Sequence, residues 1–310
     1  MVSRVERRIW AFAPGHVTGI FLPSVTAVDP RARGSLGAGL VLELGAWAEA
    51  RGLPGLGRRR SVTDGSRRRL PISEEVLLRL ATSYPGSIDV RLYHELPVGQ
   101  GFGMSAAGAL ATAFAVAHVT GASRQRASEI AHLADLYHGG GLGGVAAILG
   151  GGLEIRTRPG IPPWGKVLHR PIRANVLVGV VGRPIPSPRV LTNPAALAGI
   201  GAAAGDPAGW ETLTSLPRFF EASERFTDRA DLAPKAVRDV VRGLRRRGAR
   251  AAQAMFGSSF FARLPEGRGH RAVSRWLEEH GVRAVELELD RRGARTLPAL
   301  QRPTRPPQAF

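Results

Sequence analysis

Apolar positions fall in short runs along the first half of the chain, cut by glycine and proline. "IWAF" at Ile9–Phe12 predicts a strand, Pro14-Gly15 a turn, and "VTGIFLPS" a second apolar stretch. The glycine-rich "RGSLGAG" leads into an alternating strand near Leu40–Leu44. Residues 51–70, rich in Gly, Arg and Ser, predict an exposed, mobile loop. "SEEVLLRLATSY" has helical spacing with Ser73 as N-cap, and "SIDVRLYHEL" alternates as a strand. "SAAGALATAFAVAHVTG" is apolar nearly all round, which predicts a buried helix. "SRQRASEIAHLADLYHG" predicts another, capped by Ser123 and stopped by Gly139. A glycine-rich connection over 139–160 follows, flanked by strands.

Near residue 170 the character changes. "RANVLVGVV" reads as a buried strand, and helical patterns cover 190–203, 207–226 and 234–247. "AMFGSSFFARL" predicts a turn and strand, "HRAVSRWLEEHG" a helix, and "RAVELEL" an alternating strand. This order predicts an α+β protein of two α/β domains, 1–170 and 171–290. Residues 291–310, rich in Arg and Pro, read as a disordered basic tail.

Composition narrows the class. The chain has 310 residues, 44% of them apolar, enough for a sizeable core. Without cysteine there is neither a disulfide framework nor a thiolate site. The N-terminus lacks a signal peptide's apolar segment, and no apolar run reaches the roughly 20 residues of a membrane helix. These features predict a cytoplasmic protein with no membrane partner; a homodimer is compatible with them. The net charge is +18, nearly all from arginine. The triplets Arg58–Arg60, Arg67–Arg69 and Arg245–Arg247 are not interleaved with aromatic residues, and no zinc-finger or RNA-recognition signature is present. Nucleic acid is therefore a distant third reading.

The chemistry gathers in "LPVGQGFGMSAAGA", residues 96–109. A strand, a glycine-rich turn and a buried helix present backbone N–H groups to a phosphate at the helix N-terminus. Glycine permits positive φ and close approach. Ser105 lies in the first helical turn, where its hydroxyl can ligate Mg²⁺. The Walker Gly-Lys-Ser/Thr is absent, and no acidic residue follows at the Rossmann spacing.

The run Pro97-x-x-x-Gly101-Phe102-Gly103-Met104-Ser105-Ala106-Ala107 resembles the P-x-x-x-G-L-G-S-S-A-A motif of the GHMP kinase superfamily. Together with "FAPGHVTGIF", "GSLGAG", "AMFGSSFFARL" and the glycine-rich 139–160 segment, the chain resembles the archaeal pantoate kinase branch of that superfamily over about residues 9–290. The resemblance implies a GHMP kinase fold, with an N-terminal ribosomal S5 domain 2-like unit and a C-terminal ferredoxin-like unit. It implies ATP-dependent phosphorylation of pantoate on the way to coenzyme A. ATP would lie at Pro97, Gly99, Gly101, Gly103, Met104, Ser105 and Ala106. Ser105 and Asp135 would hold Mg²⁺ and act catalytically. Ser35, His132 and Arg156 would bind pantoate, and the "AMFGSS" turn would stand near the acceptor. Arg156 offers a planar fork for a carboxylate, and His132 and Asp135 share one helix face. His16 and His138 border glycine turns and are secondary candidates.

One position departs from the motif. Pantoate kinases carry G-L-G-D-V, with the aspartate as base, where this chain has Gly141-Leu142-Gly143-Gly144-Val145. A positioned base contributes about 10²–10⁴-fold, while phosphoryl transfer rests chiefly on positioning and charge neutralisation. Gly144 therefore bears on rate more than on the reaction. It also keeps open two alternatives: a regulatory pseudokinase that binds nucleotide or pantoate, and a kinase for another small hydroxy acid.

Overall fold

The computed structural model describes residues 6–55, 57–65, 69–185 and 187–297. In chain order the first part holds β1 (Arg7–Ser24), β2 (Gly34–Pro54), β3 (Arg60–Thr63), α1 (Pro71–Leu80), β4 (Gly86–His94), α2 (Met104–Thr120), α3 (Arg124–Tyr137), α4 (Gly144–Ala147), β5 (Leu153–Arg158) and β6 (Lys166–Arg170). The second part holds β7 (Asn175–Val180), α5 (Ser187–Leu191), α6 (Pro194–Ala204), α7 (Leu216–Ala230), α8 (Lys235–Arg245), β8 (Arg250–Gln253), β9 (Ser259–Arg263), α9 (Arg268–Glu279), β10 (Arg283–Glu288) and β11 (Arg295–Leu297). No helix among the described residues is long and apolar enough to cross a membrane.

The first sheet is built on the long β1–β2 hairpin, in the order β11-β1-β2-β4-β3, with β5 on the other half of β2 and β6 outside β5. Its pairs are antiparallel except β3–β4. Pro14-Gly15 does not end the first strand as the turn reading expected. The pairing slips at Pro14/Gly15 and again at Thr18/Ile20, so the strand bends and continues. Bulges re-aim side chains beside functional sites, and His16 stands between these two. Alanines line α2, which allows it to lie close across β1 and β2 with α1 and α3 on its flanks.

The second sheet is antiparallel in the order β10-β7-β9-β8. Numbered within itself, that is 4-1-3-2, the split βαβ arrangement of a ferredoxin-like unit. Phe219, Phe220 and Phe226 of α7 enter the main core, and Val237, Val241 and Leu244 of α8 build a second one with Phe260.

Several local expectations are corrected. Ser73 is buried inside α1 rather than capping it; Leu70 is the cap and Pro71 opens the helix. Residues 51–54 continue β2, and Arg60–Thr63 pairs with β4, because Arg60 ties down the carbonyls of Ala81 (3.1 Å) and Tyr84 (2.9 Å). The segment before the 139–160 connection is α3, and α4 lies within it. β8 precedes the "AMFGSS" turn. The expected tail starts too early: Arg295–Leu297 pairs with β1, and 298–310 lie outside the described residues.

The two sheets meet where the 99–103 loop lies against the turn before β9. Met255 N–H donates to Thr18 O (3.2 Å), Gln100 Nε2 to Gly182 O (2.8 Å), and the Ser259 hydroxyl to Gln100 O. At Gly257 a Cβ would fall 2.3 Å from the Gln100 carbonyl, so backbone meets backbone there. Gly257→Ala is therefore expected to destabilise by about 1–3 kcal/mol through overpacking. Gly201→Ala in α6, where a Cβ meets nothing within 4 Å, is expected to raise stability by up to about 1 kcal/mol. Thermal melting of the two variants checks both directions.

Candidate functional site

After β4 the chain turns through three glycines in the left-handed region, Gly99 (φ 78°), Gly101 (φ 79°) and Gly103 (φ 67°), and Gly103 caps α2. At Gly101 both conformation and space demand glycine, since a Cβ would fall 2.7 Å from Ala254 O. The first N–H groups of α2 have no partners within the helix and carry its positive dipole end. They open on a cleft of about 380 Å³. Gly99, Gly101, Gly103, Met104, Ser105 and Ala106 line it; Pro97 lies just outside. His16 and Thr18 of β1, Ser35 of β2, Arg156 of β5 and the glycine turn 139–144 form other walls. Met255 and Phe256 close it from the second sheet.

Ser105 and Asp135, far apart in sequence, come together. Asp135 is buried on α3 beneath the glycine turn; a Cβ at Gly140 would fall 1.9 Å from its Oδ1. Burial pushes its carboxyl up to about 7, against the opposing pull of the Ser105 hydroxyl and the Gly141 N–H. Neither donor completes a hydrogen bond of good geometry, so both Asp135 oxygens stand without a partner. A buried carboxylate with two open oxygens beside a hydroxyl fits a hard cation. No cluster of three His, Asp or Glu suited to a metal occurs among the described residues. A cation here would complete its shell from phosphate and water, the habit of Mg²⁺.

A second buried group is charged. Glu154 is fully buried between Arg156, whose Nη1 donates to its Oε1, and His16, whose Nε2 lies 2.9 Å from the same oxygen. Burial drives the Glu154 carboxyl up, but Arg156 and His16 outweigh it and hold the group below its usual range. Two buried donors stand without a partner: Ser35 Oγ and Arg156 Nε, both on residues that line the cleft. Both converge on Gly143, where a Cβ would meet them at 2.4 and 2.7 Å. Glycine at 143 is what lets the backbone lie this close to both.

His132 is not part of this cleft. It lies beneath the turn at Pro30–Ala32; burial lowers its pKa, partly offset by the Pro30 and Arg33 carbonyls. His138 does line the cleft, at its outer edge, paired with Glu75 of α1. At Gly144 a Cβ would fall 2.8 Å from that of Ala106, so a side chain there requires a shift of α4 or α2. Its φ is not positive, so space alone sets that limit. Glu154 was not among the sequence candidates. Strand alternation carried the signal: Glu154 and Arg156 stand two apart in "LEIRTR", on one face.

Residues 72–152 match the GHMP kinases N terminal domain model. Over 261 residues, 82% of this chain and 87% of its relative, the chain is 31% identical to a pantoate kinase of Methanospirillum hungatei. The chain belongs to the pantoate kinase family of GHMP kinases. It is also 39% identical over 163 residues to a pantoate kinase of Thermococcus kodakarensis, covering 51% of this chain and 54% of that one. A solved structure titled "Phosphotransferase related to CoA biosynthesis pathway" superposes with a TM-score of 0.82 at 28% identity, over 94% of this chain and 99% of that one. A homoserine kinase from Cytophaga hutchinsonii shares the fold, with a TM-score of 0.65 at 16% identity over 94% and 97% of the two chains.

The raised carboxyl of Asp135 makes folding stability depend on pH. The fold favours its protonated form, so the contribution is full below the unfolded value of 3.8 and is lost as pH rises through about 7. The loss amounts to about 4 kcal/mol at most. Without nucleotide or divalent cation, Asp135→Asn is expected to melt above the parent at high pH, with the gap closing as pH falls toward 4. Scanning calorimetry of both proteins across that range checks it.

Proposed function

We propose that this chain transfers the γ-phosphoryl group of ATP to the primary hydroxyl of pantoate, with Mg²⁺ held at Ser105 and Asp135. One observation carries the reading: a single cleft is lined by the glycine loop Gly99–Ser105 at a helix N-terminus and by two residues with unpartnered buried donors, Ser35 (Oγ) and Arg156 (Nε). The first end suits a polyphosphate and the second a carboxylate. The Arg156 fork and Ser35 hydroxyl take the pantoate carboxylate. The α2 amides and loop glycines take the triphosphate. Met255 and Phe256 help keep water from the reacting oxygen. When bound, Mg²⁺ supplies neutralisation of phosphate charge. Most of the work left to the chain is positioning, as phosphoryl transfer requires.

The second reading, a regulator that binds without turnover, rests on Gly144 and on the lack of any carboxylate among the residues lining the cleft. Turnover separates the two. The arginine triplets give little support to nucleic-acid binding. Arg60 is spent on backbone carbonyls, and Arg245 on Ala251 O and Asp228, both at 2.9 Å.

Two substitutions test the ends of the cleft separately. Ser105→Ala is expected to lower kcat at least tenfold and to shrink the rise in melting temperature that Mg²⁺ adds in the presence of ATP. Arg156→Ala would strand Glu154 as an unpaired buried charge, so Arg156→Lys is the better probe. It keeps the charge and loses the fork. Pantoate KM is expected to rise about tenfold or more, in line with about 1.5–3 kcal/mol for a charged hydrogen bond. ATP KM should stay within about threefold. A rise confined to ATP KM would put Arg156 at the wrong end.

A further inference from the structure

Among the residues that line the cleft, the ionisable ones are His16, His138 and Arg156. Arg156 is already engaged by Glu154. His138 sits at the outer edge, in an ion pair with Glu75. His16 stands elsewhere. Its backbone N–H donates to Phe102 O (3.0 Å), which fastens it to the phosphate loop. Its ring reaches Glu154, the partner of Arg156. It therefore lies between the phosphate cradle and the carboxylate-binding end. An acceptor bound by its carboxylate at Arg156, with its hydroxyl turned toward the γ-phosphate, passes beside this ring.

The ring is also oriented. Nε2 faces Glu154 Oε1 at 2.9 Å, and the neighbouring Arg156 charge keeps that carboxylate ionised. Nε2 then carries the proton, and the lone pair is on Nδ1. Nδ1 meets only the Thr18 hydroxyl, at a long 3.4 Å, and Thr18 itself lines the cleft. The two register slips that bracket residues 15–18 turn this stretch of β1 toward the site.

We infer that His16 is the general base of the transfer, oriented by Glu154, in a chain whose position 144 offers no carboxylate. The inference rests on the kinase reading above. As the acceptor oxygen bonds to the γ-phosphorus, its proton passes to His16 Nδ1. The bond from the γ-phosphorus to the bridging oxygen breaks, and its electron pair leaves with ADP. The imidazolium formed is balanced by Glu154 and then gives its proton to solvent. Glu154 is a positioning residue in this scheme. The charged or titratable groups facing the ring are Glu154 and Arg156 of β5 and, further off, His169 of β6. Burial lowers the His16 pKa against the pull of Glu154, which favours the neutral ring that a base requires.

The test is kcat against pH at saturating ATP, Mg²⁺ and pantoate, for the parent and His16→Gln. The parent is expected to lose rate on an acid limb, and His16→Gln to lose that limb with kcat down about 10²-fold. ATP KM should hold within about threefold. A limb that persists in His16→Gln, or a kcat within about threefold of the parent, overturns the assignment. Should His16→Gln fail to fold, ¹⁵N-histidine NMR of the parent with ADP and pantoate decides. Protonation at Nε2 alone supports the assignment; a neutral ring protonated at Nδ1 overturns it. A parent with no pantoate-dependent ADP formation overturns the kinase reading and this assignment together. An active parent with an unaffected His16→Gln overturns only the assignment.

Discussion

One wall of the cleft depends on one buried carboxylate. Glu154 has no exposure to solvent, and its ionisation is tolerable only because Arg156 and His16 both meet the same oxygen. Such a buried group contributes little net stability, since desolvation consumes most of the Coulombic gain. Its effect is geometric. With Nη1 held by Glu154, Arg156 is left with Nε toward Gly143, beside Ser35, and His16 with Nδ1 toward the Thr18 hydroxyl. Removing Glu154 would release both groups at once and leave a buried guanidinium without its counter-charge.

The donor side depends on backbone proximity. The loop before α2 takes its shape from three glycines in left-handed conformations and from the turn before β9, whose backbone lies directly against it. The same contact joins the two sheets, so the geometry of the phosphate cradle is tied to the packing of the second sheet on the first. Asp135 completes this side at a cost in stability: a carboxylate with both oxygens open is disfavoured in the folded protein until something occupies it. That is strain retained at a functional site, as expected where a site awaits a charged ligand.

Much of this was legible in the sequence. The apolar wrap of α2, the glycine spacing before it and the serine in its first turn were local patterns, and they located the glycine loop that caps α2 and lines the cleft. Ser35, Asp135 and Arg156 came from the family resemblance, and the fold brings Ser35 and Arg156 to one wall and Asp135 to Ser105. Four things were not legible, each for a physical reason. The Pro14-Gly15 pair reads as a turn locally, yet pairing with β2 along its whole length holds the strand through two slips. Ser73 has a cap's chemistry, but Pro71 sets the helix start earlier. His132 shares a helix face with Asp135, but it lies against the turn at Pro30–Ala32 while Asp135 lies beside Ser105, so a shared face did not mean a shared site. Crowding of Gly144 by Ala106 is a tertiary contact that no sequence window contains.

The central claim is that one cleft holds ATP phosphates at one end and the carboxylate of pantoate at the other. The most direct measurement is ADP formation from ATP and Mg²⁺ with pantoate, homoserine, mevalonate and shikimate offered separately. The account predicts formation above the acceptor-free background with pantoate, at a higher kcat/KM than with the other three. A tenfold preference for another acceptor, or no ADP above background with any of them, would contradict it.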